Sequence, residues 1–183
     1  SRLLADVNIT LNALESHLWE SANILRGPVD AADFKTYIFP LLFFKRISDV
    51  HDEEYQNALA ESNGDEEYAK FPQNYRFQIP DDCHWNDVRA VASNVGQALQ
   101  RAMRGIEKAN PETLYGIFGD AQWTNKDRLP DSLLRDLIEQ RALGLDLAGE
   151  LVVQSLRVVA GVGRGALREQ DADDRSRAAP LGR

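Results

Sequence analysis

The sequence predicts an all-α domain of roughly four main helices, orthogonally packed or bundled, with a long acidic loop and an irregular C-terminal tail. Three observations carry this reading. Apolar residues recur at steps of three and four in several stretches, the spacing of one helical face. Little of the chain reads as strand. The stretch "FKTYIFPLLFFKRISDV", Phe34 to Val50, has ten aliphatic or aromatic residues among its seventeen, so it reads as a helix buried by protein on several sides.

The elements follow in order. Leu11, Leu14, Leu18, Ala22 and Leu25 share one helical stripe, and Arg26-Gly27-Pro28 stops it with a glycine and a residue that cannot continue a helix. A first helix therefore ends near Leu25. Asp30 or Asp33 can cap a second helix, because a short carboxylate accepts from the unpaired N–H groups of a first turn. That helix runs to about Ala60, with a kink or a fresh start at Pro40, which has no N–H for the Thr36 carbonyl.

Gly, Asn, Pro and acidic residues from Ser62 to Asp82 mark a long connection in which "YRFQI" can form a short strand. Val88, Val91, Val95, Leu99, Met103 and Ile106 define a third helix ending before Asn110-Pro111. A short helical turn, "ETLYGIF", leads to a fourth helix carrying Leu133, Leu134, Leu137 and Ile138, with Asp131 as its cap. Residues 1–141 thus form a helical domain, and 142–183 a divergent or disordered extension, low in apolar content toward its charged end.

Composition narrows the function classes. The 183 residues suffice for a sizeable core, and 43% hydrophobic with 27% charged residues is the balance of a soluble globular protein. A single cysteine, Cys83, allows no intrachain disulfide and fits a reducing, cytoplasmic setting. The opening "SRLLADVNITLNALESHLWE" has no apolar core of a secretory signal. The uninterrupted apolar run Tyr37–Phe44 is too short to cross a membrane, which takes roughly 20 apolar residues.

The net charge of −8 is unevenly spread. Residues 51–85 hold nine acidic side chains against Lys70 and Arg76. The rest of the chain is near neutral, so a locally basic face is allowed elsewhere.

The strings "LWESANILRG", "DFKTYIFPLLFFKRISDV", "FQIPDDCHWNDV" and "GIFGDAQWTNKDRLPDSLLRDLI" occur in this order. Over roughly residues 8–140 the chain resembles the N-terminal helical domain of the modification subunit of type I restriction-modification systems. The resemblance implies part of a DNA methyltransferase that transfers a methyl group from S-adenosylmethionine to adenine N6. Its implied partners are double-stranded DNA, a specificity subunit, a separate catalytic methyltransferase domain and, where one joins, a restriction subunit. It implies a role in assembling the complex and closing it around DNA.

The chain departs from the full-length pattern at the chemistry. The family holds a flipped adenine with Asn-Pro-Pro-Phe. Here Asn110-Pro111 is followed by Glu112 and Thr113, which fits a helix-ending turn. Gly161, Gly163 and Ala166 formally satisfy G-x-G-x-x-A, but the second strand and acidic ribose partner of a dinucleotide fold are missing. The sequence therefore assigns no catalytic, cofactor-binding or metal-ligating residue; Cys83, His84, His17 and His51 lack metal-ligand spacing.

Candidates for DNA contact are Arg26, Lys35, Lys45, Arg46, Lys126 and Arg128. Phosphate contact requires exposed cations sharing a face. The competing reading pairs Lys45 and Arg46 with a nearby carboxylate such as Asp49. Trp19, Trp85 and Trp123 read as packing residues, Trp19 above all, with stacking on bases as the alternative. For the whole chain, a pure protein-protein interaction domain remains the alternative to a DNA-contacting one.

Overall fold

The computed structural model describes residues 19–142, and among them the fold is all-α, with no strand. Helix α1 is described from residue 19 to 25. Its end at Leu25 is where the sequence places it; Leu11, Leu14 and Leu18 lie outside the described residues. A tight turn follows in which Gly27 adopts φ 109°, and the Val29 N–H donates to the Leu25 carbonyl at 3.2 Å. A 3₁₀ turn, Ala31–Asp33, then enters the long helix α2, Phe34–Glu61.

The backbone of Asp33 heads α2 and that of Asp30 heads the 3₁₀ turn, yet neither carboxylate makes the expected capping bond. Asp33 instead faces Arg128 at 3.9 Å. Nor does the helix start afresh at Pro40, which lies inside it. Thr36, whose carbonyl loses its helical donor, is exposed, so water can satisfy it.

Helix α2 is the central element. Tyr37, Ile38, Leu41, Leu42, Phe44, Ile47 and Val50 are buried, and the helix packs against α3 (Glu66–Ala69), α4 (Trp85–Arg89) and α6 (Asp131–Ala142). The second long element, α5 (Val95–Ala109), turns Val95, Leu99, Met103 and Ile106 inward against α4 and α6. Leu134 and Leu137 of α6 close the core from the other side.

Two sequence expectations are corrected between α2 and α5. The segment "YRFQI", residues 75–79, is irregular rather than a strand, because its polar groups bond to side chains and not to a neighbouring strand. The Arg76 N–H donates to Glu54 Oε2 at 2.9 Å, and Gln78 pairs with Asn110. The third helix is also two helices, α4 and α5, broken at residues 90–94 where Asn94 turns left-handed at φ 55°. Asparagine tolerates that conformation better than most residues.

The acidic loop is therefore folded. Asp65 caps α3, accepting from Glu67 and Tyr68 N–H at 3.0 and 3.1 Å, and the Tyr75 hydroxyl donates to the Ala69 carbonyl at 2.5 Å. "ETLYGIF" closes as hydrogen-bonded turns without a helix; the Leu114 N–H reaches the Asn110 carbonyl at 2.9 Å.

Asp131 is the most instructive correction. It lies in the first turn of α6, but its carboxylate accepts from the N–H groups of Asn94 and Val95 at 2.9 and 3.0 Å. It caps α5 across the fold. Those two bonds hold its carboxyl below the ordinary carboxylate range.

Candidate nucleic-acid interface

The six candidate cations fall into separate groups. Arg26 and Lys35 are exposed and come together on the rim of an open apolar groove of about 480 Å³, whose walls include Trp19, Phe34, Ile38 and Phe39. The turn after Leu25 lets residues of α1 and of the start of α2 line one groove, which brings positions nine residues apart to it.

Arg128 belongs to the same end of the molecule through its 3.9 Å approach to Asp33. The loop carrying it is anchored by Trp123, which is buried and meets Tyr37 of α2 edge-on at 5.5 Å. Lys126, on the same loop, is exposed and donates to Asn94 Oδ1 at 2.5 Å, over the start of α5.

Lys45 and Arg46 are placed differently. They do not emerge at an exposed helix end; their side chains are only 14% and 16% exposed. Lys45 pairs with Asp49 and Arg46 donates to Glu53 at 2.9 Å, so each charge already faces a carboxylate. Burial pushes the Asp49 carboxyl up even with Lys45 and Arg46 nearby. Arg46 lies three turns, about 16 Å, beyond Lys35 on the same side of α2.

Trp19 departs from its sequence reading as a packing residue. It is 65% exposed and forms a groove wall together with Phe39, which is 40% exposed. Trp85 and Trp123, by contrast, are core residues. Sequence reasoning also passed over Arg101, Arg104 and Lys108, whose spacing of three and four puts them on the polar side of α5. Arg104 is engaged with Glu107 at 2.8 Å and with the Gly119 carbonyl at 2.6 Å. The regular apolar spacing on the other side of α5 was the signal that could have found them.

The residues with chemically versatile side chains have structural work. Asn110 is buried and saturated: its Oδ1 accepts the Gln78 N–H, and its amide nitrogen donates to the Gln78 and Ile106 carbonyls, each at 2.8 Å. An amide so engaged cannot hold an adenine. Asn110→Ala should cost about 1–3 kcal/mol in thermal or urea unfolding, because the part-buried backbone N–H and carbonyl of Gln78 lose their partners. His84 caps α4 with Nδ1 accepting the Asn86 N–H at 3.0 Å, so Nε2 carries the proton toward Asp52 at 2.9 Å. Cys83 is buried against α5, and burial pushes its thiol up, away from nucleophilic use.

His51 stacks on Tyr75 at 4.0 Å, its ring 9° from parallel, beside His84. Burial, aided by His84, lowers its affinity for a proton. The unfolded chain therefore binds that proton more readily, and stability should fall as pH drops below the ordinary imidazole value of 6.5. His51→Phe keeps the stack and should remove this phase from a pH series of melting temperatures. The loss attached to Asp131, whose carboxyl is held low, should persist at more acidic pH.

Residues 14–140 match the family described as the HsdM N-terminal domain. The chain belongs to the HsdM N-terminal domain family. A relative, the type I restriction enzyme MpnII methylase subunit of Mycoplasma pneumoniae, is 31% identical over 136 residues, an alignment covering 60% of this chain and 25% of the relative. The chain thus spans about a quarter of that relative's length. In this HsdM N-terminal domain the motif strings are chiefly packing strings: "DFKTYIFPLLFFKRISDV" is the buried part of α2, "CHW" builds the cap and core of α4, and "AQW" wedges Trp123 against Tyr37. Among the described residues, no helix is long and apolar enough to cross a membrane.

Proposed function

We propose that this HsdM N-terminal domain is the assembly and DNA-clamping module of a type I adenine-N6 DNA methyltransferase subunit, working in the cytoplasm with a specificity subunit and, in the full complex, a restriction subunit. The observation that carries the proposal is the family match across the whole described core. The methyl transfer and its cofactor, S-adenosylmethionine, belong to the separate catalytic domain of the longer subunit. This chain alone is inactive in methyl transfer.

Four exposed cations support the clamping part. Arg26, Lys35 and Arg128 gather at the start of α2, and Lys126 lies on the loop beside them. Cations of this kind contact phosphates without reading sequence, so they suit a domain that closes around DNA while another subunit reads the site. Lys45 and Arg46, held by their carboxylates, would have to exchange partners to reach a phosphate.

Fluorescence anisotropy of a labelled duplex, titrated with the full chain at low and near-physiological salt, tests this reading. Binding should weaken at least about tenfold as salt rises, because each phosphate contact releases counterions. Charge reversal at Lys35 and Lys126 should weaken it further with helicity unchanged, whereas reversal at Lys45 or Arg46 should have a smaller effect. Absence of salt-sensitive binding would overturn the clamping role.

The second reading is a protein-protein interaction domain that never touches DNA. The open Trp19–Phe39 groove favours it. Apolar docking is nearly salt-independent, so the same titration repeated with the specificity subunit in place of DNA separates the two.

A further inference from the structure

In a chain of net charge −8, the outer side of α5 carries no exposed carboxylate. Its exposed residues are Gln97, Gln100, Arg101, Arg104 and Lys108. Gln97, Arg101, Arg104 and Lys108 recur at steps of four, three and four, so they form one row along the helix. The acid of α5, Glu107, is drawn inward: its side chain is 10% exposed, pairs with Arg104 at 2.8 Å and accepts the Phe118 N–H at 3.1 Å.

Arg101 and Lys108 are unlike the other cations along the core helices. Among the described residues, neither makes a hydrogen bond or an ion pair, whereas Lys45, Arg46, Arg89 and Arg104 each face a carboxylate. The row also continues past the start of the helix. Asn94, three residues before Gln97, heads α5, and its Oδ1 accepts from Lys126 at 2.5 Å. Lys126 thereby links the row to the cations at the start of α2, because its loop also carries Arg128, 3.9 Å from Asp33.

Spacing and side-chain type point to a duplex backbone as the partner. Arg101 and Lys108 lie about 10 Å apart along the helix axis. That is close to three phosphate steps of one strand, at about 3.4 Å of duplex axis each. Cations and side-chain amides are the groups that contact phosphate and sugar oxygens. The exposed positions of the row hold no apolar side chain, so a protein partner would find little there to bury.

We propose that Arg101 and Lys108, with Gln97 and Gln100 beside them and Lys126 at their head, form a second phosphate-contacting row, extending duplex contact from the start of α2 over the 120–130 loop and along α5. The row rests on the clamping role proposed above and adds a path to it.

The full chain and its Arg101→Gln, Lys108→Gln double variant are titrated with a labelled duplex by fluorescence anisotropy over a series of salt concentrations. Glutamine is about as good a helix former as arginine or lysine, so circular dichroism and melting temperature should match the parent. The slope of log binding constant against log salt should become shallower by about 2, one for each lost phosphate contact, and low-salt affinity should fall at least about tenfold. Lys70→Gln with Arg76→Gln removes the same number of charges from the acidic 51–85 region and should leave the slope unchanged. Arg104 is kept, since it ties the Gly119 carbonyl to α5. Salt-sensitive binding by the parent with the same slope in the α5 variant would overturn the row and leave the clamping role standing. An equal change in the Lys70, Arg76 variant would reduce the effect to bulk charge. Loss of specificity-subunit binding with duplex binding intact would assign the row to a protein partner. Either of these two results also overturns the proposal, and absence of salt-sensitive binding by the parent overturns the row and the clamping role together.

Discussion

Gly96→Ala should destabilise the domain by about 3–5 kcal/mol, although alanine is the better helix former by about 1 kcal/mol. A β-carbon at position 96 would lie 1.9 Å from the carbonyl oxygen of Trp123 and 2.8 Å from its carbonyl carbon. Backbone cannot step aside as a side-chain tip can. The Trp123 backbone is held by its own buried indole, seated against Tyr37, and the first turn of α5 is held by Asp131. Relief would require moving the 120–130 loop off α2 or α5 off α6. Gly105→Ala is the informative contrast, because its β-carbon would meet the Cys83 sulfur at 2.7 Å, a side-chain atom. That variant should lose only about 1–2 kcal/mol. Urea unfolding of the two variants beside the parent gives both values, and equal losses would refute the distinction.

Trp85→Ala should cost about 3–5 kcal/mol, the range for emptying a large aromatic site in a core. Trp85 is 2% exposed and packs against Phe44 at 5.3 Å, which in turn meets Phe118 edge-on at 6.3 Å. The ring thereby joins α4, α2 and the turns after α5 in one cluster. Its backbone N–H donates to Ser48 Oγ at 3.0 Å, which fixes the start of α4 on α2. Among the described residues the indole N–H has no hydrogen-bond partner, so Trp85→Phe removes volume and an unpaired donor together. It should cost less than about 2 kcal/mol. Thermal unfolding of both variants measures the difference. If Trp85→Phe proved as damaging as Trp85→Ala, the indole N–H would be making a contact that the packing account omits.

Most helix positions were legible because their signals are local. The end of α1 at Leu25 follows from Gly27 and Pro28, and that of α5 at Ala109 from the Asn110-Pro111 pair. The buried run of α2 followed from apolar residues on all sides. The break between α4 and α5 was not legible, since Val88, Val91 and Val95 keep helical spacing across it. A carboxylate 36 residues downstream of Val95 stabilises the α5 start by satisfying its N–H groups. The α2 start likewise looked like an aspartate cap, and Asp33 turned instead toward Arg128.

For the candidate site the division is similar. Cation identity is visible in any sequence, but whether a cation is free to meet a phosphate depends on its neighbours in space. Arg46 and Lys126 are both simply cations in the sequence, yet one is sunk against Glu53 and the other lies exposed on a loop, donating to Asn94. Trp19 and Trp85 look alike too, and only packing makes one a groove wall and the other a core ring.

By itself, the sequence determined the helical class, the central place of α2, the family resemblance and the absence of an Asn-Pro-Pro-Phe string, because each depends on residue type and short-range spacing. The tertiary structure alone decided which helix Asp131 caps, that Asn110 is spent on Gln78, that Gly96 has no room for a side chain, and which cations stay exposed. Those outcomes depend on contacts between residues far apart in the chain, and a short-range pattern carries no record of which distant group will arrive to fill a hydrogen bond or a void.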